Sequence, residues 1–194
     1  MGQIKVTACG IEGLYVIEPT VHGDSRGCFL ETWNERDMAE NGLNLHFVQD
    51  NQSESVKGVL RGLHYQKAYP QCKLVRVIQG SVFDVAVDLR QGSATYGKWF
   101  GLILSAENRK QFLIREGFAH GFLVLSERAA FCYKVNDYWH PGDEYGVRWD
   151  DPAIGIQWPD LVSCVRDDGT CEHHLTDGTP ILLSEKDQHW PGLA

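Results

Sequence analysis

The stretch Gly58-Val59-Leu60-Arg61-Gly62-Leu63-His64-Tyr65-Gln66 says more about the fold of this chain than any other. Its apolar and aromatic residues predict a strand over residues 59–65. Arg61 lies three residues before His64, so the two side chains point to opposite faces of an ideal strand. Both can face one pocket only if Gly62 permits a bulge or if the pocket lies at the end of the strand.

The sequence on either side of this strand predicts an all-β protein. Its 20 glycines and seven prolines punctuate many short apolar runs, as in sandwiches and barrels. Strands are predicted over residues 14–18, 27–33, 47–49, 99–104, 111–114, 122–125 and 130–135. Residues 73–79 and 81–89 are predicted to pair as a hairpin about Gln79-Gly80. A short helix is predicted over residues 35–41, ending at Gly42.

One domain is expected to span residues 1–194, because 194 residues with 43% apolar content suffice for one sizeable core. Residues from about 160 to 180 are rich in turn formers and predict an excursion on the surface. In the short C-terminal tail that follows, Ser184 could cap a short helix.

The net charge of the chain limits its possible partners. It is −8 and there is no basic run, which disfavours a nucleic-acid surface. An anionic substrate stays compatible with this charge if a few Arg and Lys side chains converge in a pocket. The chain shows no apolar stretch typical of a signal peptide or a bilayer span, so a cytoplasmic location is expected. The six cysteines form no Cys-x-x-Cys pair and are expected to be reduced.

Two motifs resemble those of cupins. The stretch from Gly58 to Gln66 resembles the first cupin motif, Gly-x5-His-x-His, except that Gln66 replaces the second histidine. The second motif, Pro-x-Gly-x-x-His, is matched at His120, with Arg115 in place of proline. The two remaining histidines fall short of the usual ligand set for a metal. These motifs favour proton chemistry without a metal, and a metal-dependent cupin oxygenase is the alternative.

His64 is the candidate general base, because an imidazole can accept a proton near neutral pH. A carboxylate would fix its tautomer, and both Asp84 and Asp187 are candidates for that role. Alternation in the strand leaves open whether Asp84 faces inward or lies on a solvated outer face. Lys73 could stabilise an enolate oxygen or be an exposed residue at a strand end. Tyr133 could deliver a proton or be part of the half-buried packing.

A second metal set is conceivable in the surface excursion. Cys164, Cys171, His173 and His174 supply sulfur and nitrogen donors. Their spacing matches no common zinc finger, and adjacent histidines seldom chelate one ion well. A structural zinc site here is therefore disfavoured.

Several motifs, in order along the chain, together resemble the dTDP-4-dehydrorhamnose 3,5-epimerase family. The resemblance runs from about Gly13 to Asp187 and is interrupted at 160–180. The matching segments are Asp24-Ser25-Arg26-Gly27 with Phe29 and Glu31, Arg61-Gly62-Leu63-His64-Tyr65-Gln66, Lys73-Leu74-Val75-Arg76-Val77, Gly80-Ser81-Val82-Phe83-Asp84-Val85-Ala86-Val87-Asp88, Glu116-Gly117-Phe118-Ala119-His120-Gly121-Phe122, Ile154-Gly155-Ile156-Gln157-Trp158-Pro159 and Leu183-Ser184-Glu185-Lys186-Asp187.

The resemblance implies a cupin-like jelly-roll β-barrel with a few short helices, acting as a homodimer with exchanged N-terminal strands. It implies that His64 is the base paired with Asp187, that Lys73 stabilises the enolate and that Tyr133 donates a proton. It implies no metal and no organic cofactor. The substrate-binding residues implied are Arg26, Phe29, Glu31, Gln49, Asn51, Arg61, Asp84, His120 and Tyr138, of which the first three would contact a nucleotide in the neighbouring subunit.

The implied reaction inverts C3 and C5 of a dTDP-4-keto-6-deoxy-hexose. These carbons flank a ketone, so an enolate forms when either loses a proton. The reaction needs a base, an oxyanion partner and an acid on the other face of the ring. It needs no redox cofactor, and the chain has no Gly-x-Gly-x-x-Gly. A C3-only or C5-only epimerase and a nucleotide-sugar binding protein without turnover are the other interpretations.

Overall fold

The computed structural model describes residues 4–165 and 171–193, nearly all of them in strands and the loops between them. In chain order the strands are β1 (Ile4–Ala8), β2 (Leu14–Pro19), β3 (Val21–Asp24), β4 (Gly27–Leu30), β5 (Gln49–Val56), β6 (Leu60–Gln66), β7 (Lys73–Gln79), β8 (Ser81–Asp88), β9 (Trp99–Ser105), β10 (Gln111–Ile114), β11 (Phe118–Val124), β12 (Arg128–Val135), β13 (Glu144–Gly146), β14 (Leu161–Val165) and β15 (Cys171–Leu175). The described helices are α1 (Glu35–Glu40) and a 3₁₀ turn at Lys186–Gln188.

Two antiparallel sheets make the body of the molecule. One has six strands in the order β1-β2-β10-β7-β12-β5, and the other has five in the order β13-β6-β11-β8-β9. The hairpins β3–β4 and β14–β15 stand outside both sheets. This arrangement is the all-β, cupin-like jelly roll predicted from the sequence, and that prediction is confirmed.

The main core lies between the two sheets, because each strand alternates apolar residues toward the other sheet. Val75, Phe112 and Phe131 come from the six-stranded sheet, and Val82 and Ala86 come from the five-stranded sheet. All five are buried. Asp84 lies between Val82 and Ala86 on this inner face and is fully buried, so it is not part of a solvated outer face.

The outer face of each sheet is covered as well. Trp149, Trp158 and Leu175 pack over the five-stranded sheet, which ties the base of the β14–β15 hairpin to the body. Met38 of α1 and Leu45 cover the six-stranded sheet. α1 begins after Asn34, whose side chain accepts hydrogen bonds from the first turn, and it ends before Gly42 as predicted.

The hairpin predicted about Gln79-Gly80 is wrong. β7 pairs with β10 and β12, whereas β8 pairs with β11 and β9. Gly80 is the corner at which the chain crosses from one sheet to the other. Its φ is +72°, and a Cβ there would lie 2.0 Å from the carbonyl oxygen of Arg128, so the corner leaves no room for a side chain.

Two strand boundaries differ from the predicted ones in ways that affect the site. Strand β5 occupies Gln49–Val56, whereas 47–49 was predicted. Strand β11 begins at Phe118 and thereby includes His120. Within residues 4–165 and 171–193, no helix has the length and apolar content needed to span a bilayer.

Candidate active site

A cavity of about 480 Å³ opens between the two sheets and is lined by side chains from both. His64 and His120 project into it from β6 and β11 of the five-stranded sheet. Lys73 and Tyr133 project from β7 and β12 of the opposite sheet. A bound molecule in this cavity would therefore have imidazoles on one side and an ammonium and a phenol on the other.

A bulge in β6 lets both Arg61 and His64 line this cavity. His64 pairs with His120 and Arg61 pairs with Phe122, so β6 carries one more residue than β11 between these pairs. The extra residue cancels the alternation that would separate the two side chains. Gly62 makes this possible, because a Cβ there would lie 2.6 Å from the Cα of Gly121.

His64 pairs with Asp187, although 123 residues separate them in the sequence. The contact joins Nε2 of His64 to Oδ1 of Asp187. The C-terminal tail brings Asp187 to the cavity, since Leu182 bonds through its backbone to Gly58 and Leu60 at the start of β6. Asp187 itself is 3% exposed. Burial alone would raise its pKa, but hydrogen bonds from His64, Ser184 and Trp190 and the charge of His64 hold the pKa of Asp187 below its ordinary value.

Asp84 pairs with the other histidine. Both of its carboxylate oxygens lie 3.0 Å from Nε2 of His120. Burial raises the pKa of Asp84, and the nearby His120 and Lys73 oppose that shift. Of the two carboxylates that the sequence left open, Asp187 contacts His64 and Asp84 contacts His120.

Burial shifts the pKa values of both the Lys73 ammonium and the Tyr133 phenol. Burial lowers the pKa of Lys73 to about 8, although the charges of Asp84 and Glu144 oppose the shift. Burial and the Glu144 charge raise the pKa of Tyr133 above its ordinary value. The phenol of Tyr133 is therefore protonated at neutral pH. Burial also raises the pKa of the neighbouring Cys72 thiol to about 12, which makes that thiol a poor nucleophile.

Glu144 and Lys186 line the cavity but were not among the candidates from the sequence. Oε1 of Glu144 lies 3.9 Å from Nδ1 of His64 and 2.7 Å from Nζ of Lys186. Glu144 follows the turn residues His140-Pro141-Gly142-Asp143, where no local pattern marks a pocket residue. Lys186 adjoins Asp187 in a matched motif, which is the one signal that pointed to it.

Gln66 has a structural role in place of the missing cupin histidine. Its amide nitrogen donates to the backbone oxygens of Tyr69 at 2.7 Å and Tyr138 at 3.2 Å. Its amide oxygen accepts from the backbone N–H of His140 at 2.9 Å. Across residues 4–165 and 171–193, no three His, Cys, Asp or Glu side chains are arranged to hold a metal ion.

The remaining substrate-binding candidates lie outside the cavity lining or on its margin. Asn51 pairs with Tyr133 across β5 and β12, so the two share the inner face. Gln49 lies two residues earlier on the same face and donates to Asn51 at 2.8 Å. Tyr138 is 59% exposed and precedes Trp139, which lines the cavity.

Arg26, Phe29 and Glu31 are not brought to this cavity within the chain. Arg26 forms an exposed ion pair with Asp24 at the turn of the β3–β4 hairpin. Phe29 is 70% exposed. Together with Glu31, it lines a separate hollow beside α1.

The conceivable zinc set in the excursion is dispersed over two faces of the β14–β15 hairpin. Cys164 lies opposite Glu172, while Cys171 lies opposite Val165, so the two thiols point to different faces. Both are exposed and unlinked. His173 is hydrogen-bonded to Ser163 at 2.8 Å.

Comparison with known proteins gives the same family throughout. Residues 8–194 match the family model for dTDP-4-dehydrorhamnose 3,5-epimerase. The dTDP-4-dehydrorhamnose 3,5-epimerase of Pseudomonas aeruginosa is 54% identical over 192 residues, covering 98% of this chain and 97% of that relative. The dTDP-4-dehydrorhamnose 3-epimerase of Streptomyces niveus is 39% identical over 187 residues, covering 95% and 82%.

A solved structure extends the likeness to three dimensions. It is the crystal structure of the dTDP-6-deoxy-D-glucose-3,5-epimerase of Legionella pneumophila in complex with dTDP-4-keto-L-rhamnose. It matches with a TM-score of 0.87 and 46% identity, covering 98% of this chain and 93% of that one. The chain belongs to the dTDP-4-dehydrorhamnose 3,5-epimerase family.

Proposed function

We propose that this chain is an isomerase that inverts C3 and C5 of a dTDP-linked 4-keto-6-deoxy-hexose by proton transfer. One observation carries the proposal: the paired imidazole of His64 faces Lys73 and Tyr133 from the opposite sheet across one cavity. A base and an acid on two sides of a sugar ring are what inversion at carbon requires. The carbon keeps its oxidation state, so the reaction requires no redox cofactor.

His64 removes the proton from carbon. Its Nε2 contacts Asp187, so the tautomer that donates to this carboxylate leaves Nδ1 free to accept a proton. Asp187 stabilises the imidazolium that forms. The C–H bond breaks, its electron pair enters the enolate, and the proton passes to Nδ1.

Lys73 and Tyr133 complete the cycle from the other sheet. The Lys73 ammonium stabilises the negative oxygen of the enolate, the kind of electrostatic interaction that contributes most to such reactions. Tyr133 gives its phenolic proton to the opposite face of the same carbon and regains one from solvent, while His64 releases to solvent the proton that it took from carbon. A second round at the other carbon that flanks the ketone inverts the second centre.

The nucleotide is proposed to bind beside the cavity, partly through a second subunit. The solved relative from Legionella pneumophila holds a dTDP-sugar, which supports the same class of ligand for this chain. Arg61 and His120 line the cavity and are suited to bind phosphate oxygens. Gln49, Asn51 and Tyr138 are proposed to contact the nucleotide sugar at the margin of the cavity. Asp84 is proposed to orient His120 through their hydrogen bond.

The exposed β3–β4 hairpin is proposed to reach the site of the neighbouring subunit in a homodimer with exchanged N-terminal strands. Arg26, Phe29 and Glu31 would then contact the nucleotide there. Their exposure and their separation from the cavity of their own chain support this arrangement. The cytoplasm remains the predicted location of the enzyme.

Inversion at one centre is the second candidate, because a relative at 39% identity is a 3-epimerase. Incubation with dTDP-4-keto-6-deoxy-glucose in deuterated water distinguishes the two. Proton NMR of the product should show deuterium at both C3 and C5, whereas a single labelled carbon would establish a one-centre enzyme.

The base is tested with the same assay. We predict that His64→Ala abolishes deuterium uptake at both carbons, a loss of at least about 10³-fold, while the circular dichroism spectrum is unchanged. His46→Ala is the control, since His46 is an exposed histidine that does not line the cavity, and this variant should take up deuterium like the wild type. Uptake by His64→Ala at the wild-type rate would refute His64 as the base.

A further inference from the structure

Trp190 follows Asp187 by three residues and returns to its carboxylate. Its indole Nε1–H donates to Oδ1 of Asp187 at 3.1 Å. The same oxygen contacts Nε2 of His64. The indole also stands edge-on to the imidazole, with ring centroids 6.1 Å apart and planes at 71°. One carboxylate oxygen therefore has two ring N–H partners.

Strand β13 leaves room for this indole, and hydrogen bonds hold the chain that follows it. Gly146 at the end of β13 pairs with His64, and a Cβ at Gly146 would lie 2.4 Å from the indole ring. The chain beyond Trp190 is fixed by two hydrogen bonds. The backbone N–H of Arg148 donates to the oxygen of Pro191 at 2.9 Å, and that of Leu193 donates to Oδ2 of Asp151 at 2.6 Å.

From this geometry we propose that Trp190 is a positioning residue, which holds Oδ1 of Asp187 in line with His64 and limits how strongly Asp187 attracts the imidazole proton. The proposal rests on the proposed function, in which His64 is the base. It places the C-terminal tail within the catalytic machinery, beyond the Leu-Ser-x-x-Asp motif.

The electrostatic effect has a definite sign. A second donor withdraws negative charge from the shared oxygen, so the carboxylate stabilises the imidazolium less. Removing the indole N–H makes the Asp187 carboxylate a stronger partner and so favours the imidazolium form of His64. The other titratable and charged groups around this pair lie on six elements of the cavity wall: Arg61, Tyr65, Lys73, His120, Tyr133, Glu144 and Lys186. None of them is altered by a change at Trp190.

Trp190→Phe tests the proposal, because it keeps an aromatic ring against Gly146 and deletes only the donor. The acid limb of kcat/KM should move upward by about half a pH unit, because His64 must be deprotonated to act. The value of kcat should fall about three- to tenfold, the range for the net contribution of one typical hydrogen bond. KM should stay within about twofold, since the indole does not line the cavity.

Trp158→Phe is the matched control. Trp158 is buried and its Nε1–H donates to the backbone oxygen of Trp149 at 3.0 Å, so its replacement also deletes one indole hydrogen bond. That bond lies in the outer layer of the five-stranded sheet. Trp158→Phe should lower the melting temperature and leave the pH profile unchanged.

Two NMR measurements keep the proposal testable without turnover. The imidazole of His64 should titrate at higher pH in Trp190→Phe than in the wild type. In the wild type, the Trp190 indole N–H should exchange with solvent much more slowly than that of the exposed Trp139. An unchanged pH limb and His64 titration in folded Trp190→Phe, or fast exchange of the Trp190 indole, would overturn the proposal. Absence of deuterium uptake by the wild type would instead refute the proposed function. The two failures are distinguishable because the NMR titration of His64 does not require turnover.

Discussion

Lys73 holds its charge against the effect of burial, with two carboxylates nearby to support it. Burial lowers the pKa of Lys73 to about 8, while Asp84 and Glu144 act in the opposite sense. An enolate oxygen gains from an ammonium but not from a neutral amine. The proposed mechanism therefore requires the protonated form of Lys73, which is lost as the pH rises through about 8.

We predict a basic limb near pH 8 in the kcat/KM profile of the wild type. Lys73→Arg should lose rate, because a guanidinium is larger than an ammonium, but its limb should move upward by at least about two units since arginine stays charged. Steady-state rates from pH 6 to about pH 10 would measure both effects. An identical limb in the two enzymes would assign it to another group. Tyr133 is a poor alternative, because its pKa is raised above the ordinary tyrosine value.

The residue types of the site could be predicted from the sequence, but their pairing could not. His64, Lys73 and Tyr133 were found because each lies in a recognisable strand or motif. Whether Asp84 or Asp187 supports His64 depends on where the C-terminal tail returns after 123 residues. Glu144 was missed for the same reason, since its contacts with His64 and Lys186 are tertiary. Trp190 was missed because the local sequence is that of an ordinary tail, although its contact with Asp187 spans only three residues.

At the scale of elements, the bulge in β6 determines which side chains share the cavity. Arg61 and His64 lie on one face because β6 has an extra residue opposite β11. Gly62 has a φ of +135° and its missing Cβ leaves room for Gly121. The sequence left two possibilities open, a bulge at Gly62 or a pocket at the end of the strand, and the register between β6 and β11 shows the bulge.

We predict that Gly62→Ala lowers the free energy of unfolding by about 3 kcal/mol or more, because it combines an unfavourable φ with a backbone collision. It should also lower kcat by at least about tenfold, since His64 is two residues away on the same strand. Urea denaturation and deuterium uptake measure the two effects.

Gly92→Ala is the matched control for that substitution. Gly92 also has a positive φ, of +80°, but nothing lies within 4 Å of the position of its Cβ. Its replacement should cost about 1–2 kcal/mol and leave kcat unchanged. Equal losses of stability and activity in the two variants would show that the close approach of Gly62 to Gly121 has no special role.

The sequence predicted the apolar strands better than the polar ones. β7 and β10 are apolar and were predicted with the observed bounds. β5 reads Gln-Asp-Asn-Gln-Ser-Glu-Ser-Val, which has low β-propensity. It is a strand because β12 offers it a partner over its whole length. The supposed hairpin of β7 and β8 failed for a related reason, since a short turn does not reveal that its two arms enter different sheets.

At the scale of the whole molecule, the site forms because the two sheets face each other across the cavity. One sheet supplies the two histidines, the other supplies the ammonium and the phenol, and the C-terminal tail supplies the carboxylate. Fold class followed from composition and turn spacing, whereas this distribution over two layers required the topology. The N-terminal hairpin β3–β4 belongs to neither sheet of its own chain, and its residue Phe29 is 70% exposed.

The proposed exchange of N-terminal strands predicts that Arg26 serves the cavity of the partner subunit. His64→Ala and Arg26→Ala subunits, each weakly active alone, should therefore complement each other. In the mixed dimer, one site lacks both groups and the other has His64 from its own chain and Arg26 from its partner. Purified mixed dimers, selected by two affinity tags, should show about half of the wild-type activity.

A second pair of variants is the control, because its two residues act in the cavity of the same chain. His64 and Lys73 line the same cavity, so mixed dimers of His64→Ala and Lys73→Ala should stay inactive, because each site lacks one of the two groups. Inactive mixed dimers in the first pair as well would place Arg26 in the site of its own chain. Failure to recover any doubly tagged species, with a monomeric mass by light scattering, would refute the dimer itself. Complementation by Arg26 but not by Lys73 therefore requires a shared site, because no rearrangement within one chain restores a missing side chain.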